Sequence, residues 1–245
     1  MSESDQKPER SEAGDPILRH QNIESWLPVS GSSSLEAISA HIVTHLGEVD
    51  TIFHEIASSI VHVDIHVVKP NTRFPYIRLI TSGMSDLPMN VPEELDVPKF
   101  LELMVTLPPD WKVDSESFKD EGWYWPARLL KVLARFPHQY ATWLGYGHTL
   151  PNEDPPKPYA SGTKLCCAMI LPSPTVPEEF ISLEISPEKT IYFLSVLPLH
   201  AEEMNLKLQK GSQALLKKLE AAKVTDPIVP QRPSLVRPHK RFGLF

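Results

Sequence analysis

The feature that most constrains this chain is an aromatic-rich, amphipathic stretch over residues 123–152. Its first part carries four apolar residues at helical spacing: Leu129, Leu130, Leu133 and Phe136. This spacing places them on one side of a helix and predicts that the side is buried. We expect Pro126 at the first helical position, where its missing N–H is harmless. We expect Pro137 to end the helix, because a proline cannot continue its hydrogen bonds.

Patterns before and after this helix predict several strands. Residues 60–68 alternate between apolar and polar side chains, which is typical of a strand with one buried face. Residues 74–81 follow a turn and read as its antiparallel partner. Further strands are predicted at 100–107, 164–171, 180–185 and 190–197, and further helices at 35–46, 199–210 and 212–222. Strands with short connections grouped around one helix indicate the α+β class, with a mixed, largely antiparallel sheet packed with helices.

Composition argues against several function classes. The chain has 245 residues and a net charge of −7, and such an acidic chain is not expected to bind nucleic acid in general. No apolar run is long enough to cross a bilayer, so we expect no membrane association. Cys166 and Cys167 are the only cysteines. Neighbours on a strand point to opposite faces, so we do not expect them to share a disulfide or a metal.

The sequence also predicts a location and a domain organisation. Few cysteines and a polar start without a signal-peptide core favour a cytoplasmic protein. No phosphate-binding glycine motif is present, and we expect no cofactor. We expect a flexible N-terminal segment at 1–30, one folded domain at 31–228, and a Pro-rich basic tail at 229–245. The pattern leaves open whether the tail docks on the domain or is displayed.

One polar strand face raises an alternative hypothesis. His62, Asp64 and His66 alternate along the predicted strand, and neighbours at that spacing are about 6.6 Å apart. Two imidazoles at this distance share a metal only with a further ligand, for which His54 or His148 is available. The alternative function is therefore a metal-dependent hydrolase. The competing interpretation is an ordinary polar face of a strand.

The loop that follows the aromatic helix carries the candidate recognition residues. Trp143, Tyr146 and His148 lie close together in the sequence, beside two glycines. Tyrosine and tryptophan next to glycine are typical of binding surfaces. The sequence therefore predicts a surface that contacts a partner at this loop.

Several motifs, in order, resemble the bacterial suppressor of fused-like domain family. They lie at residues 62–65, 81–85 with 89–90, 107–111, 124–126 with 133–136, 147–149 with 151–152, and 241–245. The resemblance runs from about residue 35 to the C-terminus. It implies an α+β fold like the N-terminal domain of the animal suppressor of fused. It also implies a binding protein rather than an enzyme.

What is known of the family refines this expectation. Animal members hold a zinc-finger transcription factor through an extended peptide between two domains, and this chain is too short for the second domain. Phe136 matches an aromatic of the animal pattern, but the following loop lacks its acidic residue. Bacterial relatives are suggested to be immunity proteins that neutralise toxins of neighbouring strains. The resemblance thus implies a non-enzymatic protein-binding module, with a toxin domain as the expected partner. Its predicted partner-binding residues are Phe136, Trp143, Tyr146 and His148.

Overall fold

The computed structural model describes residues 9–17, 34–55 and 61–236. Its α-helices are α1 (Leu35–His45), α2 (Glu121–Gln139), α3 (Ala201–Lys210) and α4 (Ser212–Ala221). Its strands are β1 (Val49–Phe53), β2 (Asp64–Val68), β3 (Ile77–Ser82), β4 (Phe100–Leu107), β5 (Thr149–Pro151), β6 (Cys167–Leu171), β7 (Ser182–Ser186) and β8 (Lys189–Leu199). Among the described residues, no helix has both the length and the apolar character that a membrane span needs.

All the strands of the described part join one mixed sheet. Their order is β1-β2-β3-β4-β8-β6-β5, and β7 pairs with the first half of β8. β4 and β8 are parallel, and the other pairs are antiparallel. This arrangement confirms the predicted α+β class with a mixed, largely antiparallel sheet.

Helices cover both faces of the sheet. α2 packs on one face, where Leu130 joins the same apolar cluster as Leu194 of β8. α1 packs on the opposite face, where Ile38 joins Phe193. α3 and α4 lie on this second face as well, because they pack around Leu197, which is four residues beyond Phe193 and so points to the same side of β8. The result is three layers, with the sheet in the middle.

The predicted hairpin is confirmed, but the predicted exposure of one face of its first strand is not. β2 and β3 pair antiparallel, with Ile65 opposite Thr81. Every residue of β2 is buried, so the prediction of a strand with one buried face is wrong. The reason is the layered arrangement, because both faces of the central strands are covered. Residue 60 lies outside the described residues.

The structure also corrects the bounds of the aromatic helix. α2 begins directly after Asp120, whose carboxylate accepts the N–H of Gly122 at 2.8 Å. This side chain therefore serves as the N-cap, and the helix starts earlier than predicted. Pro126 lies inside the helix, and the helix continues past Pro137. Neither proline marks an end of the helix, because the cap and the apolar face together determine its extent.

A buried carboxylate fixes the turn that follows β3. Glu102 of β4 is fully buried. Its Oε1 accepts the N–H groups of Gly83 at 3.0 Å and Ser85 at 2.9 Å, and its Oε2 accepts the hydroxyl of Thr81 at 2.5 Å. Gly83 has a φ of +106°, and a Cβ there would lie 1.8 Å from the carbonyl oxygen of His62. Glycine is therefore required in this turn.

The Glu102 carboxyl predicts a specific dependence of stability on pH. Burial raises its pKa from 4.5 to about 7, although the hydrogen bonds from Ser85 and Thr81 oppose the rise. A pKa that is higher in the folded chain contributes stability that is complete below 4.5 and is lost as the pH rises through about 7. We expect the difference in unfolding free energy between the wild type and Glu102→Gln to fall between about pH 5 and about pH 8.

Urea denaturation at several pH values measures this difference. Buried histidines such as His66, whose pKa is lowered from 6.5 to about 4, also make stability depend on pH, but they are present in both proteins and cancel in the comparison. A difference that stays constant from about pH 5 to about pH 8 would contradict the assignment to Glu102.

Candidate functional site

The loop between α2 and β5 wraps around one edge of the sheet. Trp143 is half-buried against the apolar cluster under α2. Its ring covers Gly145, where an added Cβ would lie 3.0 Å from the ring. Gly147 has a φ of +81° and donates its N–H to the carbonyl of Ile170 at 2.8 Å. The two glycines thus allow the loop to pass under the indole and return to the sheet.

Trp143 and His148 form a direct aromatic contact. Their ring centroids are 4.2 Å apart, with the planes tilted by 54°. Burial and then the charge of Lys207 lower the pKa of His148 to about 4, although its ring donates to the carbonyl of Trp143. The imidazole is therefore neutral near pH 7, and the pair acts as an uncharged support for the loop.

Tyr146 occupies a different environment. It is 58% exposed and is the only exposed Phe, Trp or Tyr in the described part of the chain. It forms one wall of a groove with a volume of about 450 Å³. The groove is otherwise bounded mainly by apolar side chains of β6, β8 and α4 and of the segment after α4, including Leu171, Leu197, Leu216, Leu219 and Val224. Tyr146 thus faces the α3–α4 layer, whereas Trp143 faces the α2 layer.

The fourth predicted residue lies on α2. Phe136 is half-buried, and its ring packs against Tyr140 with the centroids 4.9 Å apart. It also packs against the apolar cluster under α2. The structure therefore brings Trp143 and His148 into contact and directs Tyr146 to the groove, while Phe136 is part of the helix that supports the loop.

The strand that follows the loop is an edge of the sheet. β5 pairs with β6 on one side, with Leu150 opposite Ala168. It ends the strand order of the described residues. An edge strand presents unpaired backbone N–H and C=O groups, and an extended peptide can add to it.

The side chains of the alternative metal site converge only in part. His62 Nε2 and His54 Nδ1 each lie 3.0 Å from an oxygen of Asp64. His66 is buried instead beside Ser82, with 2.9 Å between its Nε2 and the hydroxyl, and burial lowers its pKa to about 4. In the described ranges, no three His, Cys, Asp or Glu side chains are grouped in a way that could hold a metal ion.

The side chains of the two cysteines lie closer together than the sequence interpretation implies. Cys166 precedes β6, so the alternation of a strand does not separate it from Cys167. Their Sγ atoms are 3.9 Å apart, and both are buried free thiols. The hydrogen bond with Cys167 and the N–H of Ala201 lower the pKa of Cys166 to about 7, although burial opposes this. The same hydrogen bond and burial raise the pKa of Cys167.

The floor of the groove contains a polar group that the sequence analysis does not predict. Asp226 lines the groove and is 4% exposed. Its Oδ2 accepts hydrogen bonds from the hydroxyls of Thr106, Ser173, Thr175 and Ser195. The four hydroxyls come from three separate parts of the chain, all distant in sequence from Asp226, so no local spacing indicates that they meet.

Comparisons with known proteins give consistent matches. A family model described as Suppressor of fused protein (SUFU) matches residues 60–233. A SUFU homologue from Neisseria gonorrhoeae FA 1090 is similar in structure, with a TM-score of 0.56 and 16% identity over 82% of this chain and 96% of that chain. The structure of the Sufu–Fu complex gives a TM-score of 0.56 and 15% identity over 84% of this chain and 93% of that chain. At such identities, the structural likeness shows the fold alone. No curated protein matches the sequence.

Two substitutions separate the scaffold from the exposed loop. Leu133 is 3% exposed on the buried side of α2, and we expect Leu133→Ala to lower the unfolding free energy by about 2–5 kcal/mol. Tyr146 is largely exposed, and we expect Tyr146→Ala to change it by less than about 0.5 kcal/mol. Chemical denaturation of both variants measures these values. If Tyr146→Ala destabilises the protein as much as Leu133→Ala does, Tyr146 belongs to the core.

Proposed function

Because the chain belongs to the suppressor of fused family, whose model covers residues 60–233, we propose that it is a non-enzymatic protein-binding module. One similar structure is that of a complex between Sufu and Fu, which supports a binding role for a chain with this fold. Within this proposal, the loop after α2 and the groove beside it form the contact surface for the partner. The role of each residue follows from its surroundings.

The observation that carries the proposal is the exposure of Tyr146 beside an apolar groove. Tyr146 is 58% exposed, although it lines the same groove as Leu197 and Leu216. A tyrosine offers a large apolar ring with a hydroxyl that hydrogen-bonds at the rim, which is typical of residues that dominate binding energy. A partner side chain that enters the groove would cover this ring and remove its apolar surface from water.

The other three predicted residues support this anchor. His148 is neutral and packs against Trp143, which holds the loop without placing a charge beside Tyr146. Phe136 packs against Tyr140 on α2, at the point where the helix leads into the loop. A loop that is rigid before binding loses less conformational entropy when the partner docks. We therefore assign direct contact to Tyr146 and positioning to Phe136, Trp143 and His148.

The edge strand provides a second element of the contact surface. β5 follows the loop directly, so a partner segment that reaches Tyr146 is close to its unpaired edge. An extended segment can pair with such an edge through backbone hydrogen bonds. β5 has three residues and ends at Pro151, which has no N–H to donate. Backbone pairing at this edge is therefore short, and side-chain contacts at the groove provide most of the affinity.

A finer proposal concerns the biological role. We propose that the protein is a bacterial immunity protein that acts in the cytoplasm and neutralises a toxin. Its net charge of −7 supports this role, because opposite charge accelerates the capture of a basic toxin domain such as a nuclease. Tight, fast binding is sufficient for neutralisation when the partner surface overlaps the toxin's active site.

Mutation of Tyr146 tests the binding surface. The partner is first identified by co-purification from the native cell and then produced separately for calorimetry. We expect Tyr146→Ala to weaken binding by about 2 kcal/mol or more, which is roughly 30-fold in Kd. Val132→Ala is the matched control, because Val132 is 53% exposed on α2 and away from the groove. Equal Kd values for the wild type and Tyr146→Ala would show that the contact surface lies elsewhere.

A growth assay tests the immunity role separately. The identified partner is expressed in a bacterial host with and without this protein. We expect the partner alone to stop growth, the wild type to restore it, and Tyr146→Ala to restore it less. A partner that binds tightly in calorimetry but has no effect on growth would refute the immunity role and leave the binding module in place.

A further inference from the structure

The groove beside Tyr146 has apolar walls and an acidic floor. Its walls are formed by Leu171 and Leu197 of the sheet and by Leu216 and Leu219 of α4. At its floor, the loop after β6 and the segment after α4 meet, and Asp226 lies there. A gap between a helix and a sheet is ordinarily lined by apolar side chains, so a buried carboxylate at its floor is unusual.

The hydrogen bonds of Asp226 are unevenly distributed. Its Oδ2 accepts the hydroxyl of Ser173 at 2.6 Å and that of Thr106 at 2.9 Å, and two weaker contacts at 3.2 and 3.4 Å come from Thr175 and Ser195. Its Oδ1 is buried and has no hydrogen-bond partner among the residues that the structure describes. A buried carboxylate oxygen without a donor is unfavourable. Because this oxygen has almost no exposed surface, a donor in the groove reaches it only when the side chains at the floor move apart, and it then gains a charge-assisted hydrogen bond.

The neighbouring cation does not satisfy this oxygen. Arg78 is buried on the same face of the sheet and donates from Nη2 to the carbonyl of Thr175 at 2.6 Å. Burial lowers its pKa, and the charge of Asp226 opposes the change, so the two groups are close enough to interact. Neither its Nε nor its Nη1 finds a hydrogen-bond partner, and no ion pair with Asp226 forms. Asp226 therefore keeps an acceptor site that no described residue fills.

The charges around the groove favour a cation. Besides Asp226, its lining includes the carboxylate of Glu220 at the exposed end and contains no Lys or Arg. The lining residues themselves thus carry two carboxylates and no cation, and Arg78 lies behind Asp226. The net charge of the whole chain, −7, acts in the same direction at long range.

We infer that the groove floor is a subsite for a cationic side chain, Arg or Lys, carried by an apolar segment of the protein partner. The alkyl stem of such a side chain lies along the leucine walls, and its N–H groups donate to the carboxylate of Asp226. Neighbouring apolar residues of the segment cover Tyr146. This inference rests on the proposed binding function and specifies which partner chemistry the groove selects.

Small probes test this chemistry without a partner. Hexylguanidinium has an apolar stem with a cationic head, hexylurea is its neutral analogue, and hexanoate carries the opposite charge. Binding of each is measured on the full chain by NMR, with the methyl groups of Leu197, Leu216 and Leu219 as reporters. We expect hexylguanidinium to bind about tenfold more tightly than hexylurea, because a charged hydrogen bond is added to the same apolar contact. Hexanoate should bind most weakly.

Variants locate the preference in the groove. Asp226→Asn should reduce the difference between hexylguanidinium and hexylurea to about threefold or less, since the carboxylate charge is lost. Glu184→Gln removes an exposed acid on β7 and is the matched control, in which the difference should persist. Asp226 binds several hydroxyls, so its variant must be shown to fold by NMR. Leu216→Trp fills the groove without changing the floor and should weaken all three probes.

Several outcomes would overturn the inference. Equal binding of hexylguanidinium and hexylurea to the wild type would do so whether or not Asp226→Asn folds. Cation binding that survives Leu216→Trp would place it outside the groove. The chain's own residues 237–245, RPHKRFGLF, combine the same basic and apolar chemistry. If the probes bind only after these residues are deleted, the occupant is this segment and the assignment to a partner is wrong.

The two proposals fail in different ways. The probe experiment involves no partner, so a missing cation preference leaves the role of Tyr146 to be judged by calorimetry. A partner whose affinity is insensitive to Tyr146→Ala, together with a clear cation preference in the groove, would refute the proposed contact surface but not the chemistry of the subsite.

Discussion

The central strands of this sheet are covered on both faces, and much of the remaining structure follows from that constraint. β2, β3 and most of β4 are buried, with α2 on one side and α1 on the other. Any polar group on these strands must find its partners inside the protein. Glu102 does so by accepting hydrogen bonds from the N–H groups of Gly83 and Ser85 in the turn after β3. The carboxyl group of this side chain therefore holds the turn in place.

Burial also determines how the segment after α4 is held. Arg232 forms a two-pronged pair with Glu203 of α3, with N–O distances of 2.5 and 2.6 Å, and both side chains are largely removed from water. Burial alone would raise the pKa of Glu203, but the hydrogen bonds and charge of Arg232 and the N–H groups of Leu235 and His200 lower it. The segment after α4 is thereby held against α3, and Asp226 is held on the sheet near its start. The floor of the groove is thus formed by residues that also organise the fold.

The sequence predicts those features that repeat locally and misses those that depend on distant segments. The helical spacing around Leu133 and the apolar run that ends at Leu107 each identify an element from neighbouring residues alone. β5 has only three residues and β1 has no clear alternation, and each forms by pairing with the strand beside it, β6 or β2. For the candidate site, the loop with Tyr146 is visible in the sequence because aromatic residues beside glycine are unusual. Asp226 is not visible, because its meaning depends on hydroxyls that only the folded sheet brings to it.

Glu102 and Asp226 differ in whether both oxygens of the carboxyl group have hydrogen-bond donors within the described structure. Both are buried acids that bind hydroxyl groups on the same sheet, and both oxygens of Glu102 have donors within the protein. One oxygen of Asp226 has none, even though Arg78 is near enough for the two charges to interact. Buried polar groups that lack a hydrogen-bond partner tend to occur at functional sites, where a ligand provides the partner. Asp226 lies at the floor of the groove that Tyr146 borders, so the unsatisfied acceptor and the exposed aromatic ring belong to one surface. The groove floor therefore holds a buried acceptor without a donor among the described residues, and this acceptor is the feature that the proposed partner subsite uses.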